Sequence, residues 1–542
     1  MREQKSSELQ TTETTTEIWR KYEAGKDHHN AEDFYRKVER CHKFYEGDQW
    51  SGCKTGGEEL PVLNFIRPIC KYKISTVAMT DTAIIYSPMT DDPAEAELCK
   101  ALTEFAAQQW EQGKMDVKKW AIIKNACIAG DHYLYVFDAR PSSESVAGGS
   151  DPQLEARLID KTALYLADEQ EPDINAQEWM IISERRPVSQ VREEAKKNGI
   201  SEDEIKLIVS DDVDETGVGY TSADEVKTDL GKCTSLLYMS KGDDGMRFCR
   251  STKSCIYQPE KSIPGLTVYP VCGMRWDEKT GSARGIGVVE GLIPNQIEVN
   301  KTLARRAICV KRYSFPTAIV DDDKVVNADA LGKVGATVKV RNLAGNPLSS
   351  MVSFLNPQVI GGDAAALQTE LVSMSRELEG ASDAATGQVD PTKASGEAIK
   401  AARDQSAMSL NEQSANYKQF CEDLARIWFK LWMVYGAAPD ESGEALRALD
   451  VSIRIDISPV DPYSVLSREM SLENALAKNY ITFEEYVDAL DDNSGVPKDK
   501  FASILQKRQA LAAQQAEMQA SQPDAAMPNA AMGGAENAMP AV

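Results

Sequence analysis

The sequence predicts an α+β fold, and three stretches carry that expectation. Residues 133–276 read as short alternating strands separated by turns, the pattern of an antiparallel sheet. Residues 362–436 read as a helix, a polar loop and a much longer helix. Residues 315–361 form a small β-rich piece between two helices, about 47 residues long and too short to bury a core of its own.

Taken in order, residues 1–30 are rich in Thr, Glu and Ser and are expected to form an arm or frayed helix with Trp19 and Tyr22 as anchors. Phe34, Val38, Cys41 and Tyr45 line one side of a short helix, and Gly47-Asp48-Gln49-Trp50 turns the chain. Residues 61–65 are extended and 66–79 helical in pattern. Asp92-Pro93-Ala94-Glu95 supplies a capping carboxylate, a proline at the first helical position and a following glutamate. The helix it opens presents Leu98, Leu102, Phe105 and Gln109 and stops at Gly113. Asp116 is expected to cap the next helix, with Val117, Trp120 and Ile128 inward and Gly130 at its end.

The strand Tyr133–Phe137 follows, then LEARLID, ALYLAD, EWMIISE, TSLLYM, MRFCRS and LTVYPV. A helical insertion runs from Val188 to about Val209, with Ser201 and Glu204 as a capping box. The acidic run Asp211–Glu215 reads as a solvated loop rather than a metal site.

The segment Arg284–Gly291 contains GxGxxxG after a strand, but no βαβ unit surrounds it, so the dinucleotide reading fails. The helix that follows runs to about Arg312 and carries Lys301, Arg305, Arg306, Lys311 and Arg312. Lys301, Arg305 and Arg312 share a face, as a solvated flank or as phosphate contacts, and spacing does not separate the two. In 315–361, TAIV and ATVKV read as strands, with turns at 342–347. Leu367, Leu371, Met374 and Leu378 then recur at 4-3-4 spacing on one helix face. From Ser395 to Gly436 an uninterrupted helix of ~60 Å is expected. Tyr417, Phe420, Leu424, Ile427, Leu431 and Val434 stripe its second half, widened by Cys421, Trp428 and Trp432. The strand VSIRIDIS, helices near 465–479, 482–490 and 497–520, and a low-complexity tail expected to be disordered complete the chain.

The bulk numbers bound the function. At 542 residues and 42% hydrophobic content the chain has room for several domains of ordinary globular composition. A net charge of −23 argues against a simple nucleic-acid-binding surface. No secretory signal and no apolar run of about 18 residues is found, so no membrane contact is expected. Eleven cysteines without CxxC spacing fit buried free thiols rather than zinc, and no metal or cofactor is expected. Walker A, GxSxG and HExxH motifs are missing, and His28, His29, His42 and His132 read as structural or exposed. Asp321-Asp322-Asp323 reads as an acidic turn rather than a divalent-ion site.

FYEGDQW (44–50), LPVLNFIRPI (60–69), DDPAEAELCKAL, AGDHYLYV (129–136), RGIGVVEGLIPNQIEVNK (284–301) and SGEAIKAARDQS (395–406) resemble, in this order, the tailed-phage portal proteins of short-tailed phages. The resemblance spans roughly residues 30–500. It implies a non-enzymatic, portal-type subunit of a twelve-copy head-to-tail connector ring at one capsid vertex of the virion, made in the host cytoplasm. An ATP-driven terminase pumps double-stranded DNA through such a ring. The implied map is an N-terminal arm and helix (1–45), a mixed α/β wing (46–284), a descending stem helix (285–314) and a clip (315–361). A returning stem helix (362–380), a tunnel loop (381–394), a long tunnel-flanking helix (395–436), a wing return strand (437–462), a helical crown (463–520) and a tail (521–542) follow. Implied partners are further copies, the duplex, the terminase large subunit, major capsid and scaffold proteins, and a tail adaptor.

On that map Asp383, Gln388, Asp390 and Lys393 in the loop face the DNA. Lys301, Arg305 and Arg312 make passing phosphate contacts or face the surrounding shell, and the clip residues Asp321, Asp322, Asp323, Lys339 and Arg341 dock partners. Another ring-forming virion connector or adaptor, and a metal-dependent enzyme, are the alternatives; the length and the helix–insert–helix order argue against the adaptor.

Overall fold

The computed structural model describes residues 2–53, 60–89, 92–140, 153–211, 231–314, 317–321, 323–331, 333, 337–341, 347, 352–355, 362–381, 408–435, 451–459, 472–478, 480–483, 486 and 489. Two units are present, Met1–Ser458 and Pro459–Val542.

The first unit opens with α1 (Arg2–Ala31), α2 (Phe34–Glu46) and α3 (Ile66–Ala78). Ile18, Trp19 and Tyr22 of α1 are buried, so the two expected anchors hold the helix down. Strand β1 (Thr80–Pro88) leads to α4 (Pro93–Gln112) and α5 (Met115–Ala129). The Asp92 side chain accepts from the Ala94 amide at 3.0 Å, which caps α4 as expected. The expectation for α5 needs correction. Its N-cap is Lys114, in the left-handed region at φ 49°, and Asp116 is the second helical residue, accepting from Trp110 Nε1. Met115, Lys119, Ile122, Ile123, Ala126 and Cys127 form the inward face, which leaves Val117 71% and Trp120 44% exposed while Ile128 is buried. Burial of Met115 at the first helical position turns the Ile122–Ala126 side inward and leaves Val117 and Trp120 outside.

Next come β2 (Asp131–Asp138), β3 (Leu154–Ile159), β4 (Leu164–Leu166) and β5 (Trp179–Pro187). The inserted helices α6 (Val188–Lys197) and α7 (Glu202–Lys206) follow, the second opened by the Ser201/Glu204 capping box. Then come β6 (Lys232–Lys241), β7 (Gly245–Ser251), β8 (Ile256–Pro264), β9 (Val271–Arg275), and the two-residue β10 (Asp277–Glu278) and β11 (Gly285–Ile286). β4-β5-β6-β7-β8 form one antiparallel sheet and β3-β2-β9 another. LTVYPV is not a strand: it is the link between β8, which sequence reading missed, and β9. β10 and β11 pair antiparallel just before the long α8 (Val288–Ser314), so among the described residues the glycine-rich segment lies in an antiparallel pair and not a βαβ unit.

Strands β12 (Thr317–Val320) and β13 (Val352–Leu355) pair antiparallel, and α9 (Gly362–Leu378) follows. ATVKV, expected as a strand, contributes only the isolated bridge Val325↔Val340 among the described residues, and TAIV pairs with Val352–Leu355. Helix α10 (Asn411–Tyr435) begins after a turn at 409–410, which corrects the expectation of one unbroken rod from Ser395; residues 395–407 lie outside the described ones. Its apolar stripe behaves as the spacing predicts, with Tyr417, Phe420, Cys421, Leu424, Ile427, Trp428, Leu431 and Trp432 all buried. β14 (Val451–Pro459) pairs with β1.

One main core joins α2, α3, α4, α5, the β3-β2-β9 sheet, the start of α8 and α10. A second packs α1 on the five-stranded sheet, and a third seats α6 and α7. Nine of the eleven cysteines are buried and all are free. In the second unit residues 472–477 are helical, and Phe483 stacks on the buried Tyr486.

Candidate functional site

Helix α8 is held at its root in two ways. The first is a meeting of backbones. A Cβ placed on Gly285 would lie 2.3 Å from the Gly130 carbonyl oxygen, and one on Gly287 would lie 2.5 Å from that of Ile128. These glycines let β11 cross the end of α5 at contact distance, which is a packing requirement and not a phosphate cradle.

The second is a set of buried amides. Gln296 accepts from the Phe65 amide at 3.1 Å and donates to the Leu63 carbonyl at 2.8 Å. Asn300 accepts from the Leu63 amide at 3.1 Å and from Gln296 at 3.1 Å, and donates to Gln49 Oε1 at 2.5 Å. Gln49 donates in turn to the Phe44 carbonyl at 2.8 Å, and Asn64 reaches the carbonyls of Phe44 and Tyr45. FYEGDQW, LPVLNF and IPNQIEVNK, separate in sequence, thus converge on one network. Sequence reasoning missed it. The available signal was a pair of amides, Gln296 and Asn300, on a helix face otherwise occupied by Leu292, Ile293 and Val299. Replacing Asn300 with leucine strands the Leu63 amide and leaves Gln49 Oε1 without its donor. The expected loss is about 1–3 kcal/mol of stability, read from a urea denaturation midpoint.

Ahead of the glycines, Arg284 is buried and grips Glu169 with two hydrogen bonds of 2.8 Å. It also donates to the Leu164 carbonyl at 2.7 Å and lies 3.7 Å from Asp131, which Lys161 binds at 2.5 Å. His29 at the end of α1 stacks between Phe34 and Tyr165 and sits 3.2 Å from Glu169. Burial alone would raise the Glu169 carboxyl, but Arg284 and His29 outweigh it and hold it well below the usual range. Two cations face two carboxylates, so the cluster is self-compensating and ties α1, the sheet and the α8 entry together.

Burial also lowers the pKa of His29, His42 and His132. Between their depressed folded values and about 6.5 the unfolded chain binds more protons than the folded one, so stability falls as pH falls. We expect the melting temperature to drop between about pH 7 and pH 5, with up to ~1.4 kcal/mol lost per pH unit per histidine. A flat profile in thermal denaturation across that window would contradict the assignment.

Beyond its root α8 runs beside α9. Asn295 donates to Ser375 at 3.1 Å and Arg306 to Gln368 at 2.8 Å, so the two helices are antiparallel. Lys73 anchors the end of α9 through Glu379 at 2.5 Å. The shared seam is therefore polar, with Gln368 and Ser375 as the buried residues of α9. Of the expected stripe, Leu371 is half-buried against the main core, but Leu367, Met374 and Leu378 are 50%, 52% and 84% exposed, so the stripe is not the side that meets α8. Val310 and Tyr313 of α8 are exposed as well. At the far end of the pair sits the β12–β13 ladder.

Lys301 and Arg305 are exposed on α8, with Lys301 2.8 Å from Glu298, and Arg312 lies near the helix end. Asp321 accepts from Lys324 at 2.8 Å, a bond that holds its carboxyl below the ordinary range. The Lys324 carbonyl receives the Arg341 amide at 2.8 Å, and that of Lys339 receives the Val326 amide at 3.0 Å. Asp321, Asp323, Lys339 and Arg341 thus belong to neighbouring segments, while Asp322 lies outside the described residues. So do Asp383, Gln388, Asp390 and Lys393. No group of three or more His, Cys, Asp or Glu residues able to hold a metal occurs among the described residues, and none of their helices is long and apolar enough to cross a membrane.

No curated protein matches the chain. The family described as phage P22-like portal protein matches residues 19–435, an interval that holds α2 through α10, both root networks and the α8–α9 pair. With most of its length inside that match, the chain belongs to the P22-like portal protein family of phages.

Proposed function

We propose that copies of this chain form a ring-shaped channel at one capsid vertex, through which double-stranded DNA enters during packaging and leaves on ejection. The observation that carries this is the α8–β12/β13–α9 unit. Its two helices meet through a polar seam and turn Leu367, Met374 and Leu378 outward. A lone chain leaves this apolar stripe in water, whereas copies side by side bury it.

In this account α8 and α9 are the stem and 315–361 is the clip, whose Asp321, Asp322, Asp323, Lys339 and Arg341 meet the terminase large subunit and later a tail adaptor. The loop residues Asp383, Gln388, Asp390 and Lys393 stand against the duplex, and residues 463–520 form the crown. Capsid and scaffold proteins surround the ring. A net charge of −23 suits a conduit, because every phosphate neutralised adds affinity and hence drag on a moving duplex. The chain performs no catalysis and the packaging motor supplies the work. Lys301, Arg305 and Arg312 do not carry this proposal.

Sedimentation velocity of the purified protein tests it. A species near twelve times 59.6 kDa is expected, and a stable monomer at micromolar concentration would overturn it.

A further inference from the structure

We infer that the α8–α9 pair is electrostatically two-sided, and that the basic side of α8 in one copy pairs with the acidic side of α9 in the next. The inference rests on the ring reading above.

On α9, Gln368 and Ser375 mark the side that faces α8. Two positions beyond each, Glu370 and Glu377 lie about 200° round the helix, on the side turned away. Asp363 precedes Glu370 by seven residues and shares that side, and all three are exposed. No basic group lies within salt-bridge distance of any of them among the described residues, although Glu377 accepts a long bond from Ser373. The outer side of α9 is therefore an acidic line.

On α8, Lys301 and Arg305 lie away from the seam marked by Asn295 and Arg306, and both are exposed. The exposed Glu298 is the carboxylate that both feel, Lys301 through a 2.8 Å contact and Arg305 through its charge without a salt bridge. Arg312 extends the line by position along the helix. Toward the root the basic side meets α2, whose Arg36, Arg40 and Lys43 line one cleft with Lys301 of α8, Glu39 and Asp48, Lys43 being paired with Glu39 at 2.7 Å. In a chain of net charge −23 this concentration of cations stands out against the background.

Heights along the pair agree. The Arg306–Gln368 and Asn295–Ser375 contacts place Glu370 at a level between Lys301 and Arg305. With the pair running along the ring axis, rotation about that axis preserves height, so the outer side of one α9 brings Glu370 level with the next copy's Lys301 and Arg305. The partner is thus a second copy of this chain, chosen over nucleic acid because an acidic protein repels phosphate at long range and presents carboxylates to its neighbours. The pairs would fix which edge of a subunit meets which, while the apolar stripe beside the acidic line supplies buried area.

Charge swapping tests this. Glu370→Lys, the pair Lys301→Glu with Arg305→Glu, and the combination of all three are compared with wild type by sedimentation velocity over protein concentration, with circular dichroism melts to verify folding. Each reversal alone is expected to raise the concentration for half-assembly about tenfold at low salt, and the combination is expected to bring it back toward wild type. Single reversals that assemble like wild type, or a combination that does not recover, overturn the inference. Reversals that leave assembly intact but change binding of a short DNA duplex overturn it in favour of phosphate contact. A wild-type protein that never assembles overturns the ring reading itself, so the two failures are distinguishable.

Discussion

Replacing Arg284 with methionine is expected to destabilise the folded chain by about 3–5 kcal/mol, enough to shift its denaturation midpoint far outside error. The change removes the cation that holds Glu169 through two 2.8 Å bonds and lies 3.7 Å from Asp131, whose side chain is fully buried. Lys161 stays on Asp131, so the uncompensated charge falls mainly on Glu169. The pH dependence identifies the cause. Burial opposes ionisation of Glu169 and Arg284 overrides it, so the wild-type pair contributes stability above the ordinary carboxylate range. That contribution is lost as pH falls through the depressed folded value. Without the guanidinium, Glu169 accepts a proton more readily, and the gap between variant and wild type narrows as the solution is acidified. A gap that stays constant from about pH 7 to pH 4 would mean that packing, not charge, was lost.

Gly130→Ala is expected to be as severe. Gly130 has φ +111°, a backbone region that a side-chain-bearing residue rarely adopts, and an added Cβ would sit 2.1 Å from the Gly285 carbonyl oxygen. The obstacle is backbone, so no rotamer change relieves it. Strain of about 1–3 kcal/mol and overpacking of a similar size combine where α5, β2 and the α8 entry meet. We expect loss of soluble protein or a melting temperature lowered by many degrees. The neighbouring change Gly281→Ala, at φ +69° with nothing within 4 Å of the added Cβ, should show the backbone strain alone. Equal effects at the two glycines would remove the backbone crossing from the explanation.

The parts of the fold legible in the sequence are those where one local pattern had a single interpretation. The stripe of α10 is wide and aromatic, so its burial followed from spacing. Asp92-Pro93 marked the start of α4 because a cap and an N-terminal proline act within one turn. In α5 two apolar sets compete, and tertiary packing of Met115 and Ile122 leaves Val117 and Trp120 outside. The β13 partner of TAIV was illegible because ladder pairing is non-local, and nothing within Val352–Leu355 names the strand it lies beside.

The candidate site divides in the same way. The order long helix, small β piece, returning helix was visible from periodicity. That Leu367, Met374 and Leu378 face away from α8 was not, because a single sequence states that a stripe exists and not what covers it. The Gln49–Asn300–Gln296 network stayed hidden because buried amides look like surface polar residues until their partners, some 250 positions apart, are brought together.

The central claim is that the α8–α9 pair lines a passage that exists only when copies assemble around an axis. Electron micrographs of the purified protein test it most directly. Closed rings are expected, with a central opening wide enough for a double helix and with the paired helices around that opening. Single particles of one chain, open filaments, or rings with these helices on the outer rim would contradict it.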